Sequence, residues 1–121
     1  MILGINHVAL SVPDMDRALQ FYCDLLGFEK LSDSGWQAGT ESADRIRAVA
    51  GTSARVCHIG TENLLLELFQ FGDCDPARQD PHRPVVDHGI THFCLAVTDL
   101  DAEYARLSAA CMALHSPPTE V

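Results

Sequence analysis

Two stretches of this chain alternate larger apolar with small or polar side chains in the same order, and each runs into a helical pattern. In "NHVALSVPDMD", residues 6–16, His7, Ala9 and Ser11 fall on one face of an extended strand and Val8, Leu10 and Val12 on the other. Pro13 stops the ladder. Asp14 is suited to cap a helix over "MDRALQFYCDLLG", where Met15, Ala18, Phe21, Tyr22 and Leu25 recur at helical spacing and Gly27 follows the last turn. "THFCLAVTDLD", residues 91–101, aligns with the first stretch without a gap at a constant offset of 85 residues, so that His92 answers His7 and Asp99 answers Asp14. The pattern predicts a second strand over "HFCLAV" and a second helix over "LDAEYARLSAACMAL", with Leu100, Tyr104, Leu107 and Cys111 on one stripe.

Between the copies, "FEKLSDSGW", "ARVCHIG" and "NLLLELFQF" read as three further strands, the last two joined by a hairpin through Thr61, Glu62 and Asn63. "ESADRIRAVAG" reads as a short helix or an ordered loop. The order is β-α-β-β-β over about residues 5–71, an α+β module. The next stretch, "GDCDPARQDPHRPVVD", has three prolines and no periodicity, which makes about 72–88 a linker to a partial second module over about 89–121. At the same offset the counterpart of Glu67 would be residue 152, past the 121 residues, so the second module is read as incomplete. The whole is expected to form one domain.

Composition removes several function classes. Eight basic against seventeen acidic residues give a net charge of −9, with no Lys/Arg cluster to attract a polyanion, so nucleic acid is set aside. The apolar runs are far too short to span a membrane, and Met1 leads straight into strand-like sequence without a basic flank, which predicts a cytoplasmic protein. The five cysteines, at 23, 57, 74, 94 and 111, are odd in number and include no C-x-x-C pair. Reduced, mostly buried thiols are expected rather than a disulfide frame or a thiolate zinc site.

The stretches "NHVALSVPDMDRALQFYCDLLGFEK", "LLLELFQF" and "GITHFCLAVTDLDAEYARL" resemble the vicinal oxygen chelate superfamily, the group of glyoxalases, bleomycin resistance proteins and extradiol dioxygenases. The helix signature A-x-x-F-Y-x-x-x-L-G-F, carried by Ala18, Phe21, Tyr22, Leu26, Gly27 and Phe28, is the most specific part of the match. The resemblance implies paired βαβββ modules whose strands form an open, curled sheet around a divalent metal, Zn, Ni, Co, Fe or Mn. It implies His7 and His92 as two ligands, one from each first strand, and Glu67 as a third from the fourth strand of the first module. Independently of the resemblance, a carboxylate within a run of leucines is costly to bury without a cation or a hydrogen-bonding partner. Leu65 and Phe69 would share the face of Glu67, while Leu64, Leu66 and Leu68 would pack toward the helix.

Other candidates have plainer readings. His88 and His92 are four residues apart, but Gly89 and the β-branched residues after it oppose a helix. His58 alternates with Val56 and could face the pocket, although a polar strand face suffices to explain it. Cys94 has no paired base, Trp36 suits either a pocket wall or the core, and Arg45, Arg47 and Arg55 suit either an anionic substrate tail or a solvated surface.

The resemblance leads to a metal-dependent lyase or isomerase of the glyoxalase I or methylmalonyl-CoA epimerase type, with Glu67 also moving the proton next to a substrate carbonyl. The alternatives are an extradiol ring-cleaving dioxygenase, whose carboxylate ligand would come from the last strand of the second module, and a metal-free drug-binding protein of the bleomycin resistance kind. A small-molecule substrate is common to all three. An open sheet edge and an uncovered apolar face further predict a homodimer.

Overall fold

Strand β1 (Val8–Ser11) is short because Pro13 has no N–H to continue a ladder, and it hands over to helix α1 (Met15–Leu19) through Asp14. The Asp14 carboxylate accepts a hydrogen bond from the Arg17 N–H at 3.0 Å, as an N-cap does. From Gln20 to Leu25 the helix widens into π-type turns, with the Leu26 N–H donating to the Phe21 carbonyl at 3.0 Å, five residues back. Gly27, at φ +80°, ends it in the left-handed conformation open to a residue without Cβ. The widening has no signature in the apolar spacing. It accompanies an edge-to-face chain of Phe21 on Tyr22 and Tyr22 on Phe28.

The computed structural model describes residues 1–119. It divides into two compact units, Met1–Arg78 and a second that begins at Gln79, within the segment read as a linker. The first unit is completed by β2 (Glu29–Trp36), α2 (Glu41–Arg47), β3 (Ser53–Gly60) and β4 (Leu65–Gly72). They form an open four-stranded sheet in the order β1-β4-β3-β2, parallel between β1 and β4 and antiparallel elsewhere. The βαβββ order and the α+β class are those expected from the sequence.

The leucine run of β4 divides between two faces. Leu66 and Leu68 are fully buried, with Met15, Cys57 and Ile59, and the Met15 N–H donates to the Gln70 side-chain oxygen at 2.7 Å. This ties α1 to the same face of β4, and each fully buried side chain contributes about 1.5–3 kcal/mol. On the opposite face Phe69, Val56 and Ala54 form a smaller cluster with Trp36 and Phe71. The Trp36 indole N–H donates to the Thr52 carbonyl at 2.9 Å, so the ring is both wall and core.

Charges tie β2 and β3 to α1. Arg55 makes a two-point contact with Asp33, at 3.0 and 2.8 Å, and reaches Asp16 at 2.6 Å. The Arg55 guanidinium and then the Lys30 ammonium hold the Asp33 carboxyl well below the usual carboxylate range. Arg55 is therefore committed to an internal pairing and is not free for a substrate tail.

In the second unit, Asp99 caps α3 (Leu100–Ala109), accepting from the Ala102 N–H at 2.9 Å, as the repeat predicts. The strand expected over "HFCLAV" does not form: residues 91–97 have no regular structure, and Phe93 and Val97 are exposed. A strand exists only by pairing. In the first unit β1 takes its ladder from β4, and among the described residues no strand pairs with residues 91–97. The thiols also depart from expectation. All five are unpaired, yet Cys57 alone is buried, and Cys74, Cys94 and Cys111 are exposed.

Candidate metal centre on the open face of the sheet

His7 and Glu67 are sixty positions apart in the chain, and the parallel register closes the gap. Ala9 stands opposite Glu67, so His7, two residues before Ala9 and on the same face, reaches it. His7 Nε2 lies 3.3 Å from Glu67 Oε2. The small Ala9 side chain leaves the carboxylate room on that side. Glu67 is largely buried, its side chain keeping 16% of its accessible surface, while that of His7 keeps 41%.

The antiparallel hairpin brings a third side chain to the same carboxylate. His58 is the direct cross-strand partner of Glu67, and its Nε2 lies 3.3 Å from Glu67 Oε1. Its Nδ1 is hydrogen-bonded with the Ser32 hydroxyl at 2.8 Å, and Ser32 in turn stands opposite His58 on β2. One row across the sheet thus reads Ala9, Glu67, His58, Ser32. In the sequence a polar strand face suffices to explain His58. The missing signal is register: once the Thr61 N–H closes the turn on the Leu64 carbonyl at 2.9 Å, Gly60 faces Leu65 and His58 must face Glu67.

The donor chemistry favours a positive charge at this point. The His7 Nδ1–H donates to the Asn6 side-chain oxygen at 2.8 Å, which leaves the lone pair of a neutral His7 on Nε2, facing a carboxylate oxygen. Two acceptors at 3.3 Å repel unless a proton or a cation lies between them. A shared cation with ligand bonds near 2.0–2.2 Å accepts such a spacing between adjacent donors. The pair therefore fits part of a metal site. Among the described residues no group of three or more His, Cys, Asp and Glu is disposed to hold a metal ion. His92 belongs to the second unit, where it is exposed and its Nδ1 is hydrogen-bonded with the Thr91 hydroxyl at 3.0 Å.

Around the pair the open face is aromatic. Phe69 and Phe71 stack at 5.4 Å, Trp36 meets both edge-on at 6.0 Å, and the Arg47 guanidinium lies 4.0 Å over the Trp36 ring. A cavity of about 660 Å³ opens at the end of the sheet, lined by Trp36, Gln37, Ala54 and Phe71 among others; neither His7 nor Glu67 lines it. Among the described residues no helix is long and apolar enough to cross a membrane.

Residues 4–121 match the glyoxalase/bleomycin resistance protein/dioxygenase superfamily. Over 123 aligned positions the chain is 31% identical to a 2-epi-5-epi-valiolone epimerase from an Actinomyces species; the alignment takes in 97% of this chain and 65% of that protein's length. Among solved structures, a glyoxalase family protein from Bacillus cereus superposes with a TM-score of 0.80 at 20% identity, over 91% of this chain and 73% of that one. A glutamate-to-glutamine mutant of the fosfomycin resistance protein FosX from Listeria monocytogenes, complexed with Mn(II) and 1S,2S-dihydroxypropylphosphonic acid, gives a TM-score of 0.56 at 18% identity, over 93% of this chain and 73% of that one.

Proposed function

Because the chain belongs to the glyoxalase/bleomycin resistance protein/dioxygenase superfamily, we propose that it is a metal-dependent isomerase that moves a proton next to a carbonyl group, as an epimerase does. The observation that carries this reading is Glu67, sunk in the open face of the sheet with His7 Nε2 at 3.3 Å from one oxygen. His7 and Glu67 would hold a divalent ion; His92, the further ligand that the resemblance implies, belongs to the second unit. A metal in this position acts as a Lewis acid that polarises a carbonyl oxygen.

The chain's own residues supply the rest. The two Glu67 oxygens face different partners, Oε2 toward His7 and Oε1 toward His58, so one can serve as ligand while the other takes and returns a proton. His58, held through Nδ1 by Ser32, positions that second oxygen. The aromatic wall of Phe69, Phe71 and Trp36 lowers water access beside it. The 31% identity to an epimerase supports this over a lyase, and a carboxylate in the first module supports it over an extradiol dioxygenase. A cytoplasmic location belongs to the same reading and suits five unpaired thiols.

The test is solvent exchange. Incubated in heavy water with manganese and 2-epi-5-epi-valiolone, the ketone named for the relative, the protein is expected to wash deuterium into the carbon beside the carbonyl, as read by proton NMR. No exchange above the metal-only control with any divalent metal would overturn the reading. A homodimer is proposed with it, since β1 presents an unpaired edge; sedimentation as a monomer at micromolar concentration would remove that part.

A further inference from the structure

Three arginines of this acidic chain spend their N–H groups within it: Arg55 on Asp33 and Asp16, Arg106 on Glu103, and Arg83 on the His88 and Ile90 carbonyls. Arg47 differs. At the C-terminal end of α2 its guanidinium carbon lies 4.0 Å over the Trp36 ring and 5.0 Å over the Phe69 ring, and among the described residues it makes no hydrogen bond or ion pair to an acid. The contact with the two rings holds the guanidinium by cation–π attraction and leaves its N–H groups without an acidic partner. A planar fork of that kind matches the paired oxygens of a carboxylate or a phosphate.

Position gives the fork a use. Phe69 is two residues beyond Glu67 on the same face of β4, about 7 Å along the strand, so the ring that the guanidinium covers neighbours the carboxylate. Trp36, the other ring beneath it, also lines the cavity at the end of the sheet. We propose that Arg47, held against the Trp36 and Phe69 rings, is an anion subsite that binds a carboxylate or phosphate group of the substrate beside its reacting carbon. The reaction-centre part of this statement rests on the reading of Glu67 above; the binding event does not.

The chain's single tryptophan makes the subsite directly readable. Trp36 emission is followed in metal-free Glu67→Gln protein titrated with inorganic phosphate and, separately, with acetate, sodium chloride keeping the ionic strength constant. A saturable change with at least one of the two is expected, and the anion that gives it names the group. In an Arg47→Gln background the midpoint is expected to rise about tenfold or more, the loss of a charge-assisted contact. No saturable change with either anion, or the same midpoint with and without Arg47, overturns the proposal. Should the Arg47→Gln chain fail to fold by circular dichroism, Arg47→Lys decides: it keeps the charge and loses the flat fork, and a midpoint equal to that of the arginine protein overturns the paired-donor geometry. Because no metal takes part, failure here leaves the metal reading intact, and failure of metal binding leaves this result interpretable.

Discussion

Glu67→Leu protein is expected to fold as the parent does and, on the proposed reading, to bind no metal. A leucine in this position extends the run of Leu64 to Leu68 and removes a carboxylate that keeps 16% of its exposure and faces two imidazoles. Replacing a largely buried carboxylate by leucine removes its desolvation cost, which offsets the lost contacts to the two imidazoles. Metal affinity should behave oppositely. Loss of a supporting group around a metal weakens binding roughly 10–100-fold, and loss of a ligand itself should exceed the upper end of that range. Metal content by plasma mass spectrometry, after reconstitution and desalting, is the measurement, with a His7→Ala, His92→Ala double variant beside it. Near-stoichiometric metal in the wild type and none in either variant is the expected outcome. Equal metal in all three would mean that the His7–Glu67 pair is an ordinary hydrogen-bonding contact on a strand face. A variant that lost both metal and fold would instead make Glu67 a structural residue.

The second large effect falls on the other face of the same strand. Leu68→Ala removes a fully buried side chain between Leu10 on β1 and Cys57 on β3, beneath α1. Cavities of this kind cost about 2–5 kcal/mol, a large share of the 5–15 kcal/mol, roughly, that holds a domain folded. Urea denaturation followed by circular dichroism should show the midpoint fall accordingly. Leu65→Ala makes the control, since Leu65 is half-buried and shares the face of Glu67; partial burial limits its loss to about 1 kcal/mol. Equal costs at the two positions would contradict the division of the leucine run into a core side and a site side.

What the sequence determined by itself is local. Alternation at His7 to Val12 and along Leu64 to Phe71 sets which side chains share a face, because the period of a strand is two. Asp14 and Asp99 mark helix starts because a short carboxylate satisfies the free N–H groups of a first turn, and Gly27 marks an end because its φ is positive. The repeat identified His7, and the leucine run made Glu67 stand out. Their meeting was not local: only the parallel pairing of β1 with β4 spans the sixty residues between them. Register decided the remainder of the site. His58 stands against Glu67 because a hairpin closes at Thr61 and Leu64, and Ser32 orients His58 although a bulge interrupts β2 between Lys30 and Ser32. Arg47 suits a substrate tail or a solvated surface in sequence, and only α2 brings it against Trp36 and Phe69. The reverse case is "HFCLAV", as strand-like in sequence as "HVALSV" and unpaired in the structure. Propensity prepares a strand, but the hydrogen bonds that make it one belong to a neighbour, and a neighbour is a fact of tertiary structure.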